Sequence, residues 1–142
     1  MTRSDILTFF EERREPWRRR DPITLAAGHA PDGVVVSPIF GTVRGRAAIE
    51  MSYRGLFSTF PDWDLSATDP MIDGNRVVEI FHVKATHVNE FLGLEGTGRP
   101  FEIHGARIFE FTASPLQIQH ERRLYDFTGL LLQMGVLKVR PR

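Results

Sequence analysis

Asp126, Arg107 and His87 are the residues whose type and setting could do chemistry. Residues 101–112 read FEIHGARIFEFT. In a strand the positions Phe101, Ile103, Gly105, Arg107, Phe109 and Phe111 share one face, because side chains alternate. Arg107 is the one charge on that apolar face, and a guanidinium there is costly to bury unless it is paired. It belongs either to a structural ion pair or to a pocket, where it would bind a carboxylate, enolate or phenolate. Residues 116–135 begin as another strand and end as an apolar helical tail, with Asp126 at the joint. Asp126 either caps that last helix or does acid/base work. An apolar pocket would raise its pKa toward a base's working range, and a nearby Arg107 would push the other way. His87 shares strand parity with Val77, Phe81, Val83 and Ala85. It is either a core histidine bonded to backbone or carboxylate, or a pocket acid/base or hydrogen-bond donor.

Around these, Tyr53, Phe57 and Trp63 read as core or pocket wall, and Tyr53 and Tyr125 could place a phenolic donor in the pocket. His104 lies on the parity opposite Arg107, and His120 shares parity with Asp126; both join the pocket set as candidates, whereas His82 reads as outward-facing. Glu121, Arg122 and Arg123 look like cross-strand surface charges pairing with Glu102 or Glu110, each pair worth under about 1 kcal/mol when exposed. No metal motif is apparent: the histidines lack a helical or turn spacing that would converge them, and there is no cysteine. Residues 93–98 are glycine-rich but lead from strand to strand, so they form no phosphate loop.

The elements that must position these groups follow from periodicity. Ser4 is read as the cap of a first helix in which Ile6, Phe9, Phe10, Arg13 and Trp17 make an aromatic face. Arg13, Arg14, Arg18, Arg19 and Arg20 read as cations favoured at a helix C-terminus on a solvated face. Asp21-Pro22 starts a short helix to about Gly28, residues 29–32 read as a loop, and 34–37 as a short strand. A third helix spans 46–60 and ends at Pro61. Strands follow at 63–68, 77–87, 101–112 and from 116. Helices first and an antiparallel meander afterwards is an α+β arrangement.

Composition narrows the classes. At 142 residues the expectation is one domain, 1–142, with a real core. Zero net charge recruits neither nucleic acid nor an anionic membrane. The absence of cysteine excludes disulfides and thiol nucleophiles. No apolar run approaches the roughly 20 residues of a transmembrane helix, and the first twenty residues lack an apolar leader stretch. A cytoplasmic location is expected.

Residues 40–46 (FGTVRGR) followed by Ala48-Ile49, then FPDW at 60–63, Thr86-His87, FLG at 91–93, TGRP at 97–100 and DFTGLLLQMG at 126–135 form a recognisable series. In order and spacing the chain resembles the SnoaL-like proteins, a branch of the nuclear transport factor 2-like superfamily. The resemblance implies a cone-shaped α+β barrel: a strongly curved antiparallel sheet packed on three N-terminal helices around a deep apolar pocket. It implies chemistry like that of the polyketide cyclases, which close a ring by intramolecular aldol condensation without metal or organic cofactor. Asp126 matches their general acid/base. Arg107 stands where they carry a histidine, and arginine stays protonated near neutral pH, so it would hold an oxyanion or fix Asp126 as a carboxylate.

The expectation is therefore a small cofactor-independent enzyme acting next to a carbonyl of an apolar, oxygenated molecule. Asp126, Arg107 and His87 would be catalytic. Tyr53, Phe57, Trp63, His104, His120 and Tyr125 would line the pocket. The alternatives are a non-catalytic binder of small hydrophobic ligands and, more weakly, water activation of the kind seen in the superfamily's epoxide hydrolases, for which no second carboxylate is identifiable. Apolar residues on the outer parity (Val78, Ile80, Ile108) and superfamily habit point to a homodimer.

Overall fold

The computed structural model describes residues 1–139. Helix α1 (Arg3–Arg19) is opened by a capping box at Thr2, not Ser4: Thr2 Oγ1 accepts from the Asp5 amide (3.1 Å) and the Asp5 carboxylate accepts from the Thr2 amide (2.8 Å). It ends where Arg20 turns left-handed at φ 53°. Asp21 caps α2 (Pro22–Ala27), with Pro22 in its first turn, as its sequence indicates. β1 (His29–Ser37) absorbs the residues expected to form a loop, so His29 begins a strand and is buried. β2 (Gly41–Arg44), α3 (Arg46–Thr59), β3 (Asp64–Ala67) and the short β4 (Met71–Asp73) follow. The long β5 (Arg76–Thr86), β6 (Pro100–Ala113) and β7 (Leu116–Tyr125) lead to α4 (Phe127–Gln133).

The seven strands form one sheet in the order β2-β1-β7-β6-β5-β3, with β4 also paired to β5. It is antiparallel except where β1 runs parallel to β7, a departure from the expected pure meander. The α+β class stands, with four helices against the sheet. Inner-face residues of β5 and β6 alternate as predicted, Val77, Phe81, Val83 and Ala85 against Phe101, Ile103, Arg107, Phe109 and Phe111, and Glu79 joins them inside.

β7 breaks the simple alternation. Ile118 pairs with Phe111, but the next pair is His120 with Glu110, so Gln119 is extra and the ladder carries a bulge. Beyond it Glu121, Arg123 and Tyr125 turn inward. Two apolar clusters fill the interior. One joins α3 and α4 to the sheet through Tyr53, Leu56, Phe60, Phe101 and Leu130. The other seats Ile6 of α1 against Val77, Phe109, Phe111 and Ile118. Each fully buried side chain of this kind contributes about 1.5–3 kcal/mol.

Candidate functional site

A row of charge crosses the inner face of three strands. In the register Glu79 of β5 lies opposite Arg107 of β6, and Arg107 opposite Arg123 of β7. Glu79 and Arg107 are both buried and form an ion pair. The Arg107 guanidinium also lies over the rings of Trp17 (5.3 Å), Phe109 (5.5 Å) and Phe81 (5.9 Å), where the ring faces attract a cation. Arg123 donates through Nε to Glu121 (2.5 Å) and sits 5.5 Å over the Tyr53 ring. A hydrogen-bonded chain continues behind it. The Tyr53 hydroxyl accepts from Arg13 Nη2 (3.2 Å) and lies 2.9 Å from His29 Nε2, while Arg13 Nη1 donates to the Leu25 carbonyl (3.0 Å).

The two buried carboxyls are driven apart. Burial raises Glu79 above the ordinary glutamate range, and Arg107 only partly offsets this. Burial also opposes charge on Glu121, but Arg123 and its neighbours hold that carboxyl down at about 2. His29 is pushed down to about 3, chiefly by burial, so it is neutral and its 3.9 Å approach to Glu121 is not an ion pair. Two carboxyls of one type, one kept easy to protonate and one kept ionised, is the arrangement that separates acid/base from electrostatic roles.

Two spaces meet at this row. A small apolar cavity of about 30 Å³, room for one or two waters, is lined by residues including Ile39, Phe81, Arg123 and Tyr125. A groove of about 570 Å³ runs between α1 and the β3 side of the sheet, with Arg13 and Glu79 in its lining. Trp17, Trp63, Leu65 and Arg107 line both, forming the wall between them. Arg20 Nε donates to the Trp63 carbonyl (3.0 Å) and ties α1 to that wall. Trp63 Nε1, Arg107 Nε and Arg123 Nη2 are buried N–H donors without a protein acceptor among the described residues. All three residues line the cavity.

The sequence-derived candidates divide. Arg107, Trp63 and Tyr125 line the cavity, and burial raises the Tyr125 phenol. Asp126 does not: it is exposed, and its carboxylate accepts from the Gly129 amide (2.8 Å) to cap α4. The expected Asp126–Arg107 pairing is replaced by Glu79–Arg107, because the strand register aligns those two side chains on the inner face. His87 is a buried core histidine. Its Nδ1 accepts from the Thr97 amide (3.4 Å) and lies 3.2 Å from the Thr97 hydroxyl, with Phe60 and Phe91 around the ring. Tyr53 and Phe57 are core residues behind the cavity wall.

His104 and His120 lie on the outer face, His120 opposite Glu110 and His104 opposite His82. Glu121 and Arg123, read as surface charges, are inside because of the bulge. Arg13, read with the solvated arginines, is buried, whereas Arg14, Arg18 and Arg19 are exposed and pair with Glu11 and Glu15. Glu79 went unrecognised, although it shares parity with Val77 and Phe81. Two of the histidines that sequence spacing does not bring together meet across strands: His82, Glu102 and His104 place ligand atoms within 4.8 Å of one another.

Residues 6–134 match the SnoaL-like polyketide cyclase family, and the chain belongs to that family. No curated protein matches it. Among solved structures it is similar to AclR from Streptomyces galilaeus, a candidate hydroxylase (24% identity, TM-score 0.80, covering 96% of this chain and 100% of that one). TsrD from Streptomyces laurentii is similar at 23% identity and TM-score 0.81, covering 96% and 99%. IdmH from Streptomyces antibioticus, a candidate polyketide cyclase, is similar at 26% identity and TM-score 0.74, covering 95% and 99%. These likenesses show the shared fold, which a further similar structure, a protein from Burkholderia pseudomallei described as NTF2-like (18% identity, TM-score 0.77, covering 94% and 98%), also has.

Proposed function

We propose that the chain is a cofactor-independent enzyme that moves a proton next to a carbonyl of an apolar, oxygenated substrate, with Glu79 as the base and Arg107 as the oxyanion partner. The observation that carries this is the set of three buried, unpartnered N–H donors around one apolar cavity, beside a carboxyl whose pKa is raised. Buried donors without acceptors are rare, and a substrate oxygen reaching past the tryptophan wall would satisfy them. The substrate body would lie in the groove. Glu79 takes the proton from the carbon next to the carbonyl, and the electron pair passes to the carbonyl oxygen, held by Arg107 and Trp63. The enolate carbon then forms a bond to a second carbonyl of the same molecule, and Glu79 returns its proton to the new alkoxide. Returning the proton to a different carbon would be isomerisation. Arg107 stays charged throughout.

The closed Glu79–Arg107 pair favours a second reading, a binder of small hydrophobic ligands in which that pair is structural. Water activation of the epoxide-hydrolase kind would draw on Glu121 as its second carboxylate, through the cavity-lining Arg123 to which it is paired. On a panel of poly-β-ketone, keto-ester and epoxide substrates, Glu79→Gln should lower turnover of the carbonyl substrates by roughly 10²–10⁴-fold while keeping the native circular dichroism spectrum. Full turnover by a folded Glu79→Gln would remove the mechanism. Saturable binding across the panel without product would leave the binder, and diol formation from an epoxide would select water activation.

A further inference from the structure

The outer face of the sheet, remote from the cavity, carries a cluster that the reading above leaves unused. His82 of β5 and His104 of β6 are directly opposed in the antiparallel register, and such pairs hold their Cβ atoms about 5 Å apart. Their rings stack at 4.4 Å with 20° between planes. Glu102 precedes His104 by two positions on the same face, and its carboxylate contacts His82 Nε2. Lys84 is the cross-strand neighbour of Glu102, yet the carboxylate turns to the imidazole.

The backbone beneath is braced. Gln133 of α4 accepts from the Glu102 amide (2.8 Å) and donates to its carbonyl (2.9 Å), so the strand segment carrying two of the three groups is clamped.

We propose that His82, Glu102 and His104 bind one divalent transition-metal ion of the zinc class. Two imidazole nitrogens and one carboxylate oxygen are a donor set suited to zinc, and three protein ligands leave a position open to water. Metal–ligand distances of about 2.0–2.2 Å set donor atoms about 3.3 Å apart; the Glu102–His82 contact would open to that spacing and the stacked His104 ring would turn in to it, at a face where all three side chains are at least partly exposed. The ion would clip β5 to β6 at the point where α4 packs on the sheet.

The test uses tag-free, chelator-treated full chain, titrated with zinc chloride by calorimetry and with cobalt chloride by visible absorption. Wild type should take up one ion per chain with a cobalt spectrum of low coordination number and a rise in thermal midpoint. His82→Asn and His104→Asn should each lose roughly tenfold or more in affinity, Glu102→Gln should bind more weakly, and His120→Asn, on the same face but outside the cluster, should match wild type. No saturable uptake by wild type, or uptake undiminished in folded His82→Asn and His104→Asn, would overturn the site.

Discussion

His29 shows how one buried side chain sets the response of the fold to acid. Unfolded, it takes up a proton near pH 6.5; folded, burial delays this to about 3. Between those values the unfolded chain binds more protons, so stability falls as pH is lowered from 6.5 toward 3. Glu121 adds a second limb: it is held at about 2 against an ordinary 4.5, and its contribution is lost as pH falls through that window. Glu79 works the other way. Its raised pKa means the folded chain holds a proton longer, so its ionisation opposes stability as pH rises above 4.5. Urea midpoints should therefore drop below pH 6.5, with a slope of up to about 1.4 kcal/mol per pH unit from the histidine. His29→Gln should flatten the limb above pH 4.5. An unchanged profile in that variant would show that the histidine is not the group responsible.

At the scale of elements, α4 depends on its cap. Asp126→Ala should lower stability by about 1 kcal/mol and leave turnover at the wild-type level, since the carboxylate lies outside the cavity. A large loss of turnover without loss of stability would return Asp126 to the chemistry. What was legible in the sequence tracks regular periodicity. The parity of residues 101–111 placed Arg107 correctly, and Asp21-Pro22 and Pro61 marked real helix boundaries. Alternation failed in β7 because Gln119 is an extra residue, and one inserted position exchanges the faces of everything after it. Pairing partners were also out of reach. That Glu79 meets Arg107, and His82 meets His104, follows from a register between residues 28 and 22 positions apart, which no local pattern encodes. Arg13 carried two signals: its spacing set it with Ile6 and Trp17 on the face the helix buries, while its charge grouped it with the solvated arginines, and the spacing was right, since it reaches Tyr53 and Leu25.

For the whole molecule, the outer sheet face leaves Ile80 (43% exposed) and Leu124 (47% exposed) in water beside half-buried Val78 and Ile108. That apolar surface fits pairing of two chains. Sedimentation equilibrium should give twice the chain mass, and Ile80→Lys with Leu124→Glu should give monomers; a monomeric wild type would leave the face unassigned. Among the described residues no helix is long and apolar enough to cross a membrane. The wall between cavity and groove has one more consequence. The chain has two tryptophans, Trp17 and Trp63, and both stand in that wall. Its entire indole fluorescence therefore originates at the candidate site, with the Arg107 cation against one emitter. A compound that displaces the wall will change the emission of unlabelled wild-type protein, so a library can be searched optically before any reaction is known.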